Sequence, residues 1–366
     1  VAAFSRLTNS IPTYVTVAGA SGWAIVDTGN PWVLLDPMTF PSTASLSGGG
    51  TIPAIEVASQ TAANPFVFGS GTGDVMADPT FSVDGNIGCS VLCSFTAGFN
   101  YRDVSLTLGG APPAGVQAAI SLPFMLEGGG MEQGVSVPRS RVVVSVSVEG
   151  TAYSMILDTG ATDVTLSAAA YGALTSDGRA QLTGGMAETT AGTSTSSIAR
   201  AATVAVGGAT VAGVIVAHDS SFDQNLAAVS ADVGHTIDGS LGGTFLNSFY
   251  VSIDYATQTL SLSPYDDTSF ILDAGEHIGI TLGSDVGTYL VATVSTDAAA
   301  KGVAVGDEVI AVDGQMLASL SELEVATLGF GKVGATENVT FGIAQTVSNM
   351  TIPLVVEESL PLPGAP

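Results

Sequence analysis

The triplet Asp-Thr-Gly occurs twice, as Asp27-Thr28-Gly29 and Asp158-Thr159-Gly160, each directly behind an apolar run, Ala24-Ile25-Val26 and Met155-Ile156-Leu157. Two carboxylates a few ångströms apart do not ionise together, so a pair of such loops can share one proton. A shared-proton pair can activate water against a peptide bond with neither a metal nor a covalent intermediate. A lone Asp-Thr-Gly reads as a turn; two copies in matching places of a repeat read as a catalytic pair. Gly29 and Gly160 let the backbone turn tightly under each carboxylate. The hydroxyls of Thr28 and Thr159 can bond across the two loops and hold them rigid. Asn30 follows the first triplet and can donate to Asp27, whereas Ala161 follows the second and donates nothing, so the two carboxylates are not expected to titrate alike.

The surrounding sequence supplies elements that would position these loops. Arg141 to Val148 alternates so that Val142, Val144, Val146 and Val148 share one face, the pattern of a half-buried strand. It passes through the turn Glu149-Gly150 into Tyr153–Leu157 and the second triplet. Tyr14–Val17 and Ala18-Gly19-Ala20 repeat that layout before the first. Downstream lie Asp84-Gly85-Asn86-Ile87-Gly88 and Asp238-Gly239-Ser240-Leu241-Gly242. The repeated unit fills about 1–138 and about 139–268, which predicts two lobes of one architecture. Leu126 to Pro138, with Gly128, Gly129, Gly130 and Gly134, reads as the linker between them. Residues 269–366 change pattern and read as a third domain, with a helix over Ser319–Leu328 burying Leu320, Leu323, Ala326 and Thr327. The whole is expected to be mainly β.

Of 366 residues, 46% are hydrophobic and only 11% charged, with a net charge of −25. This leaves no basic footprint for nucleic acid, and an anionic membrane surface would repel the chain. The acidity reads either as solubility or as service in an acidic medium. No apolar run reaches the roughly 18 residues needed to span a bilayer. The composition suits a secreted or periplasmic protein; a signal peptide, if there was one, is already gone. Cys89 and Cys93 have no His or Cys companions, so zinc is not expected. They read as two buried thiols or as a short local disulfide.

Residues 1–268 resemble the bilobal pepsin-like aspartic proteases, the second lobe being closer to retropepsin-like bacterial enzymes. Ile156–Thr162, then Ile237–Gly242 with Phe245-Leu246 and Ile253-Asp254-Tyr255, carry the likeness. The resemblance implies a two-lobed acid-protease β-barrel fold, a catalytic pair Asp27 and Asp158, peptide or unfolded protein as substrate, and no cofactor. Ile87-Gly88 and Leu241-Gly242 would thread behind the aspartate loops. Phe66–Gly73 is placed like a pepsin flap, with Phe68, Gly69, Ser70 and Gly71 as its covering residues and Trp32 packing beneath. Phe68 stands where the family usually has tyrosine, which removes a hydroxyl. Since both triplets lie in one chain, a monomer suffices for the pair.

The C-terminal stretch resembles a PDZ domain, a small α+β fold, most specifically from Gly302 through Val305-Gly306-Asp307-Glu308-Val309-Ile310 to Gly314. That likeness makes Ile278, Gly279 and Ile280 the loop that captures a C-terminal peptide ligand; the plainer reading is a PDZ that only packs on the catalytic lobes. A serine protease would need a histidine in a plausible place, and only His218, His235 and His277 exist. A zinc protease would need His-Glu-x-x-His, which is missing. A non-catalytic peptide-binding protein on the same fold remains the alternative.

Overall fold

A computed structural model describes residues 8–70, 83–132, 135–137, 139–189, 192–273, 275–285, 288–320, 322–342 and 349–363. These fall into two compact units, the first running to Ile271 and taking in Leu362, the second covering Leu272–Pro361. The boundary expected at 269 thus lies three residues later.

The first unit opens with β1 (Pro12–Val17), β2 (Ala20–Val26), β3 (Val33–Leu35), β4 (Gly50–Thr51), β5 (Ala54–Val57), β6 (Gln60–Ala63), β7 (Phe66–Gly69) and β8 (Gly85–Ile87), followed by a helical turn, α1 (Cys89–Leu92). Then come β9 (Thr96–Asn100), β10 (Ser105–Leu108), β11 (Ile120–Pro123), β12 (Met125–Glu127), β13 (Gly130–Glu132) and β14 (Val135–Val137). The second half holds β15 (Arg141–Val148), β16 (Thr151–Leu157), β17 (Val164–Leu166), α2 (Ala168–Leu174), β18 (Gln181–Thr189), β19 (Gly192–Val206), β20 (Ala209–Asp219), α3 (Ser220–Val233), β21 (Gly239–Leu241), α4 (Gly243–Leu246), β22 (Phe249–Asp254) and β23 (Thr259–Pro264).

Two eight-stranded sheets carry the repeat. The first has the order β4-β7-β3-β8-β2-β1-β5-β6 and the second β12-β15-β16-β21-β17-β20-β19-β18. The run β7-β3-β8-β2-β1 is matched strand for strand by β20-β17-β21-β16-β15. The hairpins that open each half close through two-residue turns with both central residues at positive φ, Ala18 and Gly19 in one, Glu149 and Gly150 in the other. That turn suits the right-handed twist of paired strands. Each hairpin's second strand then pairs in parallel with the later short strand, Val26 opposite Ile87 and Leu157 opposite Leu241.

A third sheet, β10-β9-β22-β23-β11, draws strands from both halves. Phe99, Tyr250, Val251, Ile253, Leu260 and Leu262 are buried in it and belong to one core continuous with both eight-stranded sheets. The segment expected as a linker is structured: Met125–Glu127 pairs with Val143–Arg141 at the edge of the second sheet, and β13 pairs with β14. Its glycines serve turns between short strands rather than a free tether. The Arg141–Val148 strand is buried on more than one face. Val142, Val144, Val146 and Val148 enter the main core as expected, but Val143 packs with Ile156, Ile237 and Leu226. Leu226 comes from α3, which Asp219 caps by accepting from the Ser221 and Phe222 N–H groups.

The second unit contains β24 (Glu276–His277), β25 (Ile280–Asp285), β26 (Thr288–Val294), α5 (Thr296–Ala300), β27 (Glu308–Val312), β28 (Gln315–Met316), α6 (Glu322–Thr327), β29 (Thr336–Gly342), β30 (Asn349–Val355) and β31 (Glu357–Glu358). Its main sheet runs β25-β26-β27-β29-β30, leaving β25 on an edge. Ile278, Val291, Val309, Val339, Phe341 and Leu354 are among its buried residues. The predicted helix is shorter than 319–328. Leu320 precedes it, Val325 is buried, Thr327 is half-buried, and the side chains of Leu323 and Ala326 lie outside those described. Among the described residues no helix is long and apolar enough to cross a membrane.

Candidate active site

Each aspartate sits one residue past the end of an interior strand. The parallel ladder extends to both, with Asp27 N–H donating to Ile87 O at 3.0 Å and Asp158 N–H to Leu241 O at 3.1 Å. The second strand of each opening hairpin and the Asp-Gly-x-apolar-Gly segment therefore present the carboxylate together, a register that places Ile87-Gly88 and Leu241-Gly242 directly behind the two loops.

The loops then grip one another. Thr28 N–H donates to Thr159 Oγ1 at 3.2 Å and Thr159 N–H to Thr28 Oγ1 at 3.1 Å. Each hydroxyl in turn donates across to the other half, Thr28 to Leu157 O at 2.8 Å and Thr159 to Val26 O at 2.7 Å. Both threonines are shut away from solvent. Four hydrogen bonds in a dry setting fix the spacing of the loops.

The glycines have a different task from the one expected. Neither Gly29 nor Gly160 has a positive φ. A Cβ on Gly29 would lie 2.6 Å from Asp158 Cγ, and one on Gly160 would lie 2.6 Å from Asp27 Cγ. What glycine supplies here is room for the opposite carboxylate. The same glycines steady their own aspartates, Gly29 N–H donating to Asp27 Oδ1 at 2.8 Å and Gly160 N–H to Asp158 Oδ1 at 3.0 Å. Burial pushes the Asp158 carboxyl well above the usual carboxylate range, and the charge of Asp27 beside it adds to the shift.

Asn30 does not reach Asp27 directly. It donates to Asn86 Oδ1 at 3.1 Å, and Asn86 donates to Asp27 Oδ2 at 2.5 Å. Asn86 is thus a residue of the candidate site that reading the triplets missed; the signal was its mismatch with Ser240 at the same place in the repeat. Ser240 is buried, and among the described residues its hydroxyl has no hydrogen-bond partner. Arg141 is a second such residue, donating to Gly29 O at 2.7 Å while pairing with Asp232. Asp163 occupies in the second half the place of Trp32 in the first, and burial pushes its carboxyl up to about 7.

Phe66–Gly69 lies inside the first sheet as β7, paired with β3 on one side and β4 on the other, so it is no projecting hairpin. Gly69 is glycine because Thr43 O would sit 2.0 Å from any Cβ there. Phe68 and Trp32 do meet, edge to face at 5.5 Å, and Phe66 completes the cluster. Ser70 N–H donates to Leu35 O, and Gly71 lies outside the described residues. A long hairpin stands in the second half instead, β18–β19, paired from Gln181 with Ala199 out to Thr189 with Gly192. Its pairing to β20 stops at Ser196, so among the described residues its outer part has no third strand.

Cys89 and Cys93 form a disulfide across α1, with Cα atoms 4.8 Å apart. In the second unit, Ile278 N–H donates to Gly329 O and Gly279 N–H to His277 Nδ1. Two of the N–H groups expected to capture a peptide carboxylate are therefore already spent. Among the described residues no group of three or more His, Cys, Asp or Glu side chains is arranged to hold a metal ion.

Residues 144–245 match the family described as Aspartyl protease. No curated protein matches the chain. Among solved structures, the aspartic proteinase from Irpex lacteus is 14% identical over 72% of this chain and 96% of that one, with a TM-score of 0.43. A photosystem II D1 C-terminal processing protease is 18% identical over 24% of each chain, with a TM-score of 0.22, so the chain spans about a quarter of that protein. The family match encloses both Asp158 and the Asp238–Gly242 segment behind it, and across those residues the chain is similar to aspartyl proteases, within a mainly β unit.

Proposed function

We propose that the first unit is an aspartic endopeptidase that cleaves peptide bonds in unfolded proteins with water activated between Asp27 and Asp158. The observation that carries this reading is the reciprocal Thr28–Thr159 clasp, which brings two carboxylates from distant loops together at a fixed spacing. The ionised member takes a proton from water as the resulting hydroxide attacks the scissile carbonyl, while the protonated member donates to the carbonyl oxygen. When the bond breaks, the first passes its proton to the leaving amine and the second regains one from the tetrahedral intermediate. Protons and charge balance without a cofactor, and a single chain supplies both groups. Non-catalytic peptide binding would need neither carboxylates in contact nor a clasp to hold them there.

An acidic medium outside the cytosol suits this reading. A shared proton is retained only at acidic pH, a net charge of −25 repels itself less there, and the Cys89–Cys93 bond fits an oxidising compartment. The test is hydrolysis of an unfolded protein at about pH 3–6, with Asp27→Asn and Asp158→Asn beside the parent chain. Each substitution should cost on the order of 10²–10⁴-fold in kcat or more; full activity in either one sinks the assignment.

For the second unit we infer a PDZ-type module. The run Gly302–Gly314 and the antiparallel sheet with β25 on its edge support it, since an edge strand can take an extended peptide as an added strand. With the Ile278 and Gly279 N–H groups engaged, the ligand that fits is an internal extended segment rather than a free C-terminus. Binding of one labelled peptide, with its terminus as acid and as amide, checks this: similar affinities are expected, and a strong preference for the acid overturns it.

A further inference from the structure

The two carboxylates differ in what surrounds them, and the difference has a direction. Trp32 N–H donates to Asn30 Oδ1 at 3.0 Å. A backbone N–H can only donate, so it fixes which end of the Asn30 amide faces it. The Asn30 NH₂ is thereby turned toward Asn86 Oδ1, and the Asn86 NH₂ toward Asp27 Oδ2. The relay is polarised along its whole length by one main-chain group. Asp27 Oδ1 already accepts from Gly29 N–H. Both oxygens of Asp27 are therefore acceptors, a condition that a carboxylate meets and a protonated carboxyl meets poorly.

Asp158 has half of this. Its Oδ1 accepts from Gly160 N–H and its carboxyl also draws on the Ala161 N–H, but no side-chain donor adds to these: the residue standing where Asn86 stands is Ser240, whose hydroxyl has no partner among the described residues, and the one standing where Asn30 stands is Ala161. The other groups that face the pair do not reverse the bias. Tyr255 lies near Asp27 and Tyr101 near Asp158, and burial keeps both phenols protonated. The nearby cation, Arg141, bonds the Gly29 carbonyl on the Asp27 loop.

We propose that Asn86, oriented through Asn30 by the Trp32 N–H, is a positioning residue that makes Asp27 the proton acceptor of the pair and leaves the shared proton on Asp158. Resting on the peptidase reading, this assigns the two roles: Asp27 takes the proton from water, and Asp158 donates to the scissile carbonyl. Asn86 is 6% exposed and donates to Asp27, so its influence runs through Asp27.

The experiment is a carboxyl ¹³C titration of the full chain with labelled aspartate, the two resonances assigned by Asp27→Asn and Asp158→Asn, alongside the pH profile of kcat. In the parent chain Asp27 should ionise at lower pH than Asp158. Asn86→Ala should narrow or invert that gap by about 1–2 pH units, the worth of a hydrogen bond to a charged group, and shift the acidic limb of the kcat profile upward by a similar amount. Asn30→Ala, which lets the Asn86 amide flip, should move both the same way but less. A gap unchanged in a folded Asn86→Ala variant overturns the proposal. If that variant does not fold, an unchanged gap in Asn30→Ala does so. The titration needs no turnover, so a chain that hydrolyses nothing refutes the peptidase reading while the titration still decides the role of Asn86.

Discussion

The two halves of the first unit share a frame and differ in what they hang on it. Five strands recur in the same order, with the same two-residue turns, the same parallel pairing behind each aspartate and mirror-image threonine bonds. Around that frame, Asn30 faces Ala161, Asn86 faces Ser240, Trp32 faces Asp163, and the Cys89–Cys93 turn faces one with no cysteine. The second half extends the hairpin β18–β19 out to Thr189 and Gly192, whereas the first has the short hairpin β5–β6. Position is thus symmetric and chemistry is not, which is what an enzyme needs if two identical groups must play opposite parts in one reaction.

The largest expected effect tests the symmetric part. Gly29→Ala and Gly160→Ala each put a methyl group 2.6 Å from the carboxylate carbon of the other half. The carboxylates must move apart, and a shift approaching 1 Å costs on the order of 10²-fold in kcat. The two variants should lose activity to a similar extent while unfolding near the parent temperature. A loss confined to one of them breaks the equivalence of the loops.

A smaller effect tests the asymmetric part. Burial raises Asp163 from 3.8 to about 7, while Trp32 in the matching place does not titrate. Unfolded, the carboxyl ionises near its ordinary value, so between about pH 4 and 7 the native state holds a proton that the unfolded state has lost. Stability therefore falls as pH rises through that window, by about 2–4 kcal/mol. Asp158 is raised as well and adds to the same trend. Asp163→Asn should remove its share, flattening the plot of urea unfolding free energy against pH. An unchanged slope would mean that Asp163 is solvated.

Much of this frame was legible because it is written locally. Positive-φ turns announce themselves as Ala18-Gly19 and Glu149-Gly150, and a strand ending in Asp-Thr-Gly followed later by Asp-Gly-x-apolar-Gly is a pattern within one half. The Thr28–Thr159 bonds could be expected once the triplets were taken as a pair. What escaped depends on partners distant in sequence. Val143 is buried because α3 covers it, and α3 is a weakly patterned helix that buries only Leu226 deeply. Phe66–Gly69 carries the glycine and aromatic residues of a covering hairpin, yet β3 and β4 claim both its edges. Asn86 lies 59 residues from Asp27, and only comparison with Ser240 marks it.

The smallest expected effect concerns the disulfide. In the first half, Cys89 N–H donates to Asn30 O at 2.9 Å and Ser90 N–H to Pro31 O at 3.0 Å. In the second, Gly243 N–H donates to Ala161 O at 2.9 Å and Thr244 N–H to Thr162 O at 3.1 Å. The same helical turn caps the same loop with and without a covalent bond, so the bond is not what shapes the turn. Its contribution is to restrict the unfolded chain, and a link between residues four apart closes so small a ring that the gain is about 2 kcal/mol at most. Replacing both Cys89 and Cys93 by serine should lower the unfolding free energy by no more than that and leave kcat and its pH profile where they were. Should activity fall with the fold intact, the first half would need its disulfide to hold Asn30 for the relay to Asp27, a demand the second half never makes because Ala161 has nothing to relay.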